Sequence, residues 1–182
     1  MVSIEKLGTI CVLTVGGDVP KNNYSKEKTE ENVIPILSNG IGENAYYGYT
    51  NKAKITEKCV TISARGTIGY SELRKEPFYP IVRLICAIPK SDILPEYLCY
   101  YLQTMEFNVP ITGIPQLTVP MIKDCEIVFP SLEKQRKIVA ILDRFSSLAE
   151  SMEVGIPAEI KANRQRYEYY RDEIFESLKE CA

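Results

Sequence analysis

The stretch from Ser131 onward limits most strongly what this chain can fold into. Ser131 follows Pro130 and is placed to cap a helix, with Glu133 in the first turn, where a carboxylate meets the positive end of the helix. Ile138, Ile141, Leu142, Phe145, Leu148, Ala149 and Met152 then recur at helical spacing. Ile138, Phe145 and Met152 are seven apart, with Ile141 and Leu148 between them. Gly155-Ile156-Pro157 interrupts: glycine ends one helix and proline suits the first turn of the next. Ile160, Tyr167, Ile174 and Cys181 are again seven apart, with Tyr170 and Leu178 filling in. Two narrow, charge-flanked seams of this kind predict helices that pair with each other, with a second copy, or with another protein. A hairpin folded back on the preceding domain is the alternative. Tyrosines and arginines where a core-facing helix would carry leucines favour an arm. The second helix, at about 23 residues and ~1.5 Å each, spans roughly 35 Å. That is close to one turn of B-DNA, about 34–36 Å.

Residues 1–130 read differently. Short apolar runs predict strands at Ile10–Leu13, Val33–Leu37, Cys59–Ile62, Ile81–Ile85 and Glu126–Phe129. Turn-forming stretches such as Gly16–Asn23 and Ser38–Gly42 separate them. Pro95 opens a helix with apolar residues at 97, 98, 101, 102 and 105, the face of a core helix. The expected fold is α/β of the α+β kind: a mixed-sheet globular domain over 1–130, followed by a two-helix coiled-coil arm over 131–182.

Composition closes off most chemistry. The chain has no histidine, which removes Ser-His-Asp and Cys-His catalysis and any His-ligated metal. No Gly-x-Gly-x-x-Gly loop, P-loop, amino-methylation motif or nuclease spacing occurs. A carboxylate or tyrosine mechanism stays open, although no acid–base pair can be named. The six cysteines include no Cys-x-x-Cys pair, and most sit in apolar runs, as buried reduced thiols do. There is no secretory signal and no bilayer-spanning run, so a cytoplasmic protein without a membrane role is expected. Net charge is -2, and the arm alone carries nine basic and ten acidic residues. Any nucleic-acid contact must therefore rest on local patches.

Two stretches carry a family resemblance. Ile111-Thr112-Gly113-Ile114-Pro115-Gln116-Leu117-Thr118-Val119-Pro120 leads into Ile127-Val128-Phe129-Pro130-Ser131-Leu132-Glu133-Lys134-Gln135-Arg136, then Ile141-Leu142-Asp143. Further on comes Gln165-Arg166-Tyr167-Glu168-Tyr169-Tyr170-Arg171-Asp172. Both resemble the specificity subunits of type I restriction–modification systems. Ile62–Gly69 and Lys6–Cys11 resemble parts of their target recognition domains.

The resemblance implies a non-catalytic DNA-reading subunit. Methyltransferase (modification) subunits, which bind S-adenosylmethionine, and restriction subunits would join it, and the chain itself would need no cofactor. The family pattern has two recognition domains and two helical regions. One of each stands here, which implies half a subunit that dimerises through its arm and reads a palindromic bipartite site in double-stranded DNA. The helix interface would then be Ile138, Ile141, Phe145, Leu148, Met152, Ile160, Tyr167, Tyr170, Ile174 and Leu178.

Lysine and arginine anchor phosphates, whereas arginine, asparagine and glutamine read base edges. The candidate DNA contacts are therefore Lys21, Asn22, Asn23, Tyr24 and Lys26 in one loop, and Asn39, Tyr46, Tyr47 and Lys52 in a second group. Arg65 and Thr67 form a third, and Thr112 and Gln116 border the family-like loop. The competing reading is a helix-mediated protein-interaction module with no DNA role, which the near-neutral charge suits.

Overall fold

In the computed structural model, which describes residues 2–110, 113–152 and 157–180, the chain forms an α+β head followed by two long helices. Strand β1 (Val2–Lys6), a short helix α1 (Leu7–Ile10) and β2 (Cys11–Val15) begin it. Next come β3 (Tyr24–Ser25), β4 (Ile34–Leu37), a 3-10 turn (Gly42–Ala45) and β5 (Tyr46–Thr50). The head continues with β6 (Cys59–Ile62), β7 (Ser71–Arg74), β8 (Tyr79–Pro80), β9 (Ile85–Pro89), α2 (Pro95–Leu102), α3 (Val119–Ile122) and β10 (Glu126–Pro130). The long helices are α4 (Leu132–Met152) and α5 (Pro157–Glu180).

Three sheets organise the head. The central one, in the order β2-β9-β6-β7, is antiparallel throughout. Its strands β6 and β9 are rich in Val, Ile and Cys and bury nearly every side chain, as strands covered on both faces do. The second sheet runs β3-β5-β4-β8 and carries the loops described below. The third is the pair β1–β10, with Val2 opposite Pro130 and Lys6 opposite Glu126. The chain thus enters and leaves the head side by side.

The apolar runs at 34–37, 59–62 and 126–129 lie in strands, and the run from Ile10 starts its strand one residue later. Ile81–Ile85 differs: only Ile85 is in a strand. Ile81 to Leu84 close a tight turn in which Leu84 N–H donates to the Ile81 carbonyl at 3.0 Å. Strands β1, β5 and β7 have no apolar run. β1 is mostly exposed, and β7 buries Ser71 and Arg74 at its ends. Arg74 is matched there by Glu72 at 2.6 and 2.8 Å and by the Thr61 hydroxyl at 3.3 Å.

The hydrophobic core does not stop at Pro130. Leu142 of α4 and Phe175 of α5 are buried with Tyr97, Leu98, Tyr101 and Leu102 of α2. Phe175 meets Tyr97 and Tyr101 edge-on, with centroids 5.3 and 5.0 Å away. So the expected arm has a root built into the head, and the folded-back alternative is realised there. Phe175 lies off the heptad seam, which is why spacing did not single it out. Ile138, Tyr167, Ile174 and Leu178 are half-buried against this core. Ile141, Phe145, Leu148 and Tyr170 are exposed, and Phe145 stacks on Tyr170 at 5.9 Å. The side chains of Met152 and Ile160 lie outside the described residues.

Polar bonds complete the root. Gln135 is fully buried, and its amide is spent on three backbone groups. Nε2 donates to the carbonyls of Asp92 and Pro130 at 2.9 and 2.8 Å, and Oε1 accepts from Leu94 N–H at 2.8 Å. One side chain thereby ties the start of α4 to the start of α2. Tyr97 Oη donates to the Val128 carbonyl at 2.9 Å, and Tyr100 Oη to Asp143 at 2.6 Å. Cys11, Cys59, Cys86 and Cys99 are buried and Cys125 is half-buried. Burial pushes the Cys11 and Cys99 thiols up to about 12. Cys181 lies outside the described residues.

A candidate nucleic-acid interface

Beyond the end of β2, Gly16 and Gly17 run against Ile81. A Cβ at Gly16 would lie 2.7 Å from Ile81 backbone atoms, so only glycine permits this approach. Gly16 N–H donates to Leu84, Val82 N–H to Gly17 and Arg83 N–H to Gly16, at 2.8, 2.9 and 3.1 Å. These bonds hold Val82 and Arg83 at φ 51° and 60°, in the left-handed region. A β-branched valine there is sterically disfavoured, at a cost of about 1–3 kcal/mol, and persists only where its surroundings impose it.

Asn39 is part of that imposition. Its Nδ2 donates to the Val82 carbonyl at 2.7 Å, and its Oδ1 accepts from Ala64 N–H at 2.7 Å. It is proposed by residue type as a DNA contact, but the structure uses it as a clasp between two loops. Thr67 Oγ1 donates to the Asn39 carbonyl at 3.3 Å. The turn from Ser63 to Tyr70 is closed by Gly69 N–H on the Ser63 carbonyl and Tyr70 N–H on the Thr67 carbonyl. Gly66 and Gly69 supply the positive φ it needs. Leu117 N–H donates to the Ala64 carbonyl at 2.9 Å, which sets Gln116 beside Arg65. Arg65 donates to Gln116 Oε1 from Nε at 3.0 Å and from Nη2 at 2.6 Å. Three segments distant in sequence thus meet in one cleft bordered by Gly16, Asp18, Arg65, Val82 and Arg83, with Asn39 and Gln116 bonded to two of them.

The second group adjoins it. Strand β3 pairs with β5, which places Tyr24 and Tyr47 5.8 Å apart between ring centroids. Lys21, Asn22, Asn23, Lys26 and Lys52 are exposed, as are Tyr46 and Tyr47. Among the described residues none of these lysines forms an ion pair. Asn23 adopts φ 58°, which asparagine tolerates. Lys54 Nζ donates to the Val15 carbonyl at 3.2 Å and joins this loop to the strand end beside Gly16. Thr112 lies outside the described residues.

Of the candidates, then, Arg65, Thr67, Asn39 and Gln116 are bonded to one another or to one turn. Tyr24 and Tyr47 are in contact, and Lys21, Asn22, Lys26 and Lys52 are exposed with no side-chain hydrogen bond among the described residues. Arg83 was missed. Inside Ile81–Ile85 it reads as a strand residue, and its charge within an apolar run was the only hint.

Among the described residues no group of histidine, cysteine or acidic side chains could hold a metal ion, and no helix is long and apolar enough to cross a membrane.

Comparison with known proteins fits this geometry. A family model described as the type I restriction modification DNA specificity domain matches residues 2–162. Two Mycoplasma pneumoniae proteins described as type I specificity subunits are 39% and 35% identical over 171 and 164 residues. The matches cover 93% and 90% of this chain but 51% and 45% of theirs. The crystal structure of the type I restriction–modification S subunit from M. genitalium superposes with a TM-score of 0.67 at 17% identity, over 85% of this chain and 41% of that one. This chain spans about half the length of the curated relatives it matches.

Proposed function

Because the chain belongs to the family of type I restriction–modification DNA specificity domains, we propose that it reads one half of a bipartite duplex DNA site and performs no chemistry itself. The observation that carries this is the meeting of Arg65, Gln116, Arg83 and the Asn39 clasp on one face, next to loops rich in free lysine, asparagine and exposed tyrosine. Lysines placed this way anchor phosphates, and a held arginine or a free amide can address base edges. With Asp18, Glu27, Glu30 and Glu31 interspersed among Lys21, Lys26 and Lys28, phosphate contact would rest on individual exposed cations rather than on a basic field.

Catalysis is assigned to partners. Methylation would come from modification subunits carrying S-adenosylmethionine, and cleavage from restriction subunits. The seat of this activity would be the cytoplasm, where the DNA is. Two copies would pair through the exposed face of α4 and α5 around Ile141, Phe145, Leu148 and Tyr170, and together read a palindromic bipartite site.

The test is binding to a random duplex pool at increasing salt. Affinity should fall steeply as counterions are released. Light scattering should give a mass twice 20.6 kDa. Expression with modification subunits should methylate adenine in a palindromic bipartite motif. Absence of salt-dependent binding, with the dimer intact, would leave a helix-mediated interaction module instead.

A further inference from the structure

We infer that Arg65 reads a guanine with the outer edge of its guanidinium and that Gln116 is its positioning residue; this rests on the DNA-reading role proposed above. The head has three arginines, Arg65, Arg74 and Arg83. Arg74 is spent: it is buried and bidentate to Glu72. Arg83 is exposed and its guanidinium has no hydrogen bond among the described residues, so its head is not aimed. Arg65 alone is both charged and aimed.

The aiming leaves the useful edge open. A guanidinium carries five N–H donors in a rigid plane. Gln116 Oε1 accepts from Nε and from Nη2, the inner edge. Both hydrogens of Nη1 and the second on Nη2 have no partner among the described residues, which leaves the outer fork of two parallel N–H groups. The partner is a neutral amide, so the cation is not neutralised. Asp18, the carboxylate in the same cleft, bonds to neither arginine among the described residues. The register of Gln116 with Arg65 is fixed by the adjacent Leu117–Ala64 backbone bond.

Two parallel donors match guanine, which sets O6 and N7 side by side as acceptors in the major groove. Adenine puts an N6 amino donor next to N7 and would face the fork with a like group. A contact to phosphate needs charge but little orientation, which suits Arg83. A contact to a base edge needs orientation, which Gln116 supplies to Arg65.

The test is selection of the full chain on a random duplex library, with sequencing of bound DNA. Wild type should enrich a motif that includes a G·C pair which Arg65→Lys no longer prefers, with discrimination there falling about 5- to 150-fold. The other positions should be kept. Gln116→Ala should weaken preference at that same pair far more than it weakens low-salt binding to unrelated DNA, a split that loss of folding would not produce. As a check that needs no variant, 7-deazaguanine at that position, which lacks the N7 acceptor, should weaken wild-type binding. An Arg65→Lys protein that melts as wild type does and keeps every base preference would overturn the inference. So would a lost preference that falls on an A·T pair, or 7-deazaguanine without effect. A wild-type chain that prefers a sequence in which no G·C pair depends on Arg65 overturns the inference alone, whereas one that binds no DNA, or binds it with no preferred sequence, overturns the DNA-reading role beneath it.

Discussion

The root of the helical hairpin and the loop face of the head are held together by opposite means. At the root, Phe175, Leu142 and the α2 tyrosines exclude water, and Gln135 satisfies three buried backbone groups. On the loop face, side chains grip backbone: Asn39 bridges Ala64 and Val82, and Thr67 bonds to Asn39. The root cannot change a side chain without losing core. The loop face can change its exposed lysines, amides and tyrosines at little cost to folding. A reader needs that arrangement, with a fixed mount and a replaceable surface.

The sharpest way to break this contrast is Phe175→Ala. It should cost about 3–5 kcal/mol, seen as a large fall in melting temperature, whereas Lys21→Glu with Lys26→Glu should melt near wild type and bind DNA poorly. Equal losses in the two proteins would erase the distinction. Gln135→Ala should come next, at about 2–3 kcal/mol, because Leu94 N–H and two carbonyls lose their partner in a buried place. Denaturant titration measures it. Asn39→Ala should cost about 1–2 kcal/mol. Its distinctive sign is faster hydrogen exchange at Ala64, with weaker DNA binding across all sequences. A smaller effect of opposite sign is expected for Val82→Asn, which suits the left-handed backbone better and should stabilise by about 1 kcal/mol. Least of all, Ile141→Lys on exposed α4 should change stability within about 0.5 kcal/mol yet shift light scattering from dimer toward monomer.

The parts legible in the sequence were those where burial imposes a period. The strands at 59–62 and 126–129, the helix from Pro95 and both long helices follow from runs and spacings of apolar residues. Phe175 escaped because it packs from the side of the seam onto α2, a contact no heptad encodes. The turn at Val82 and Arg83 escaped because its residues have strand propensity, and the Gly16–Gly17 approach and the Asn39 clasp override it. The candidate contacts were chosen by residue type, and type cannot separate Asn22, which is exposed, from Asn39, whose amide is engaged at both ends. Nor could type reveal that Arg65 and Gln116, fifty-one positions apart, are bonded partners.

The pairing of β1 with β10 bears on how such a head can vary. The chain returns to the place it started from, five residues against five, before the long helices depart. Everything between Lys6 and Glu126 is then a closed circuit. Loops inside it, apart from the Asp92–Leu94 turn that Gln135 grips, can lengthen, shorten or be exchanged without turning the axis along which α4 leaves, because that axis is set at the mouth of the circuit, by α2 and by Gln135 just past it. If two such heads read DNA together as proposed, variation in what is read would be mechanically decoupled from the distance and angle at which they are held.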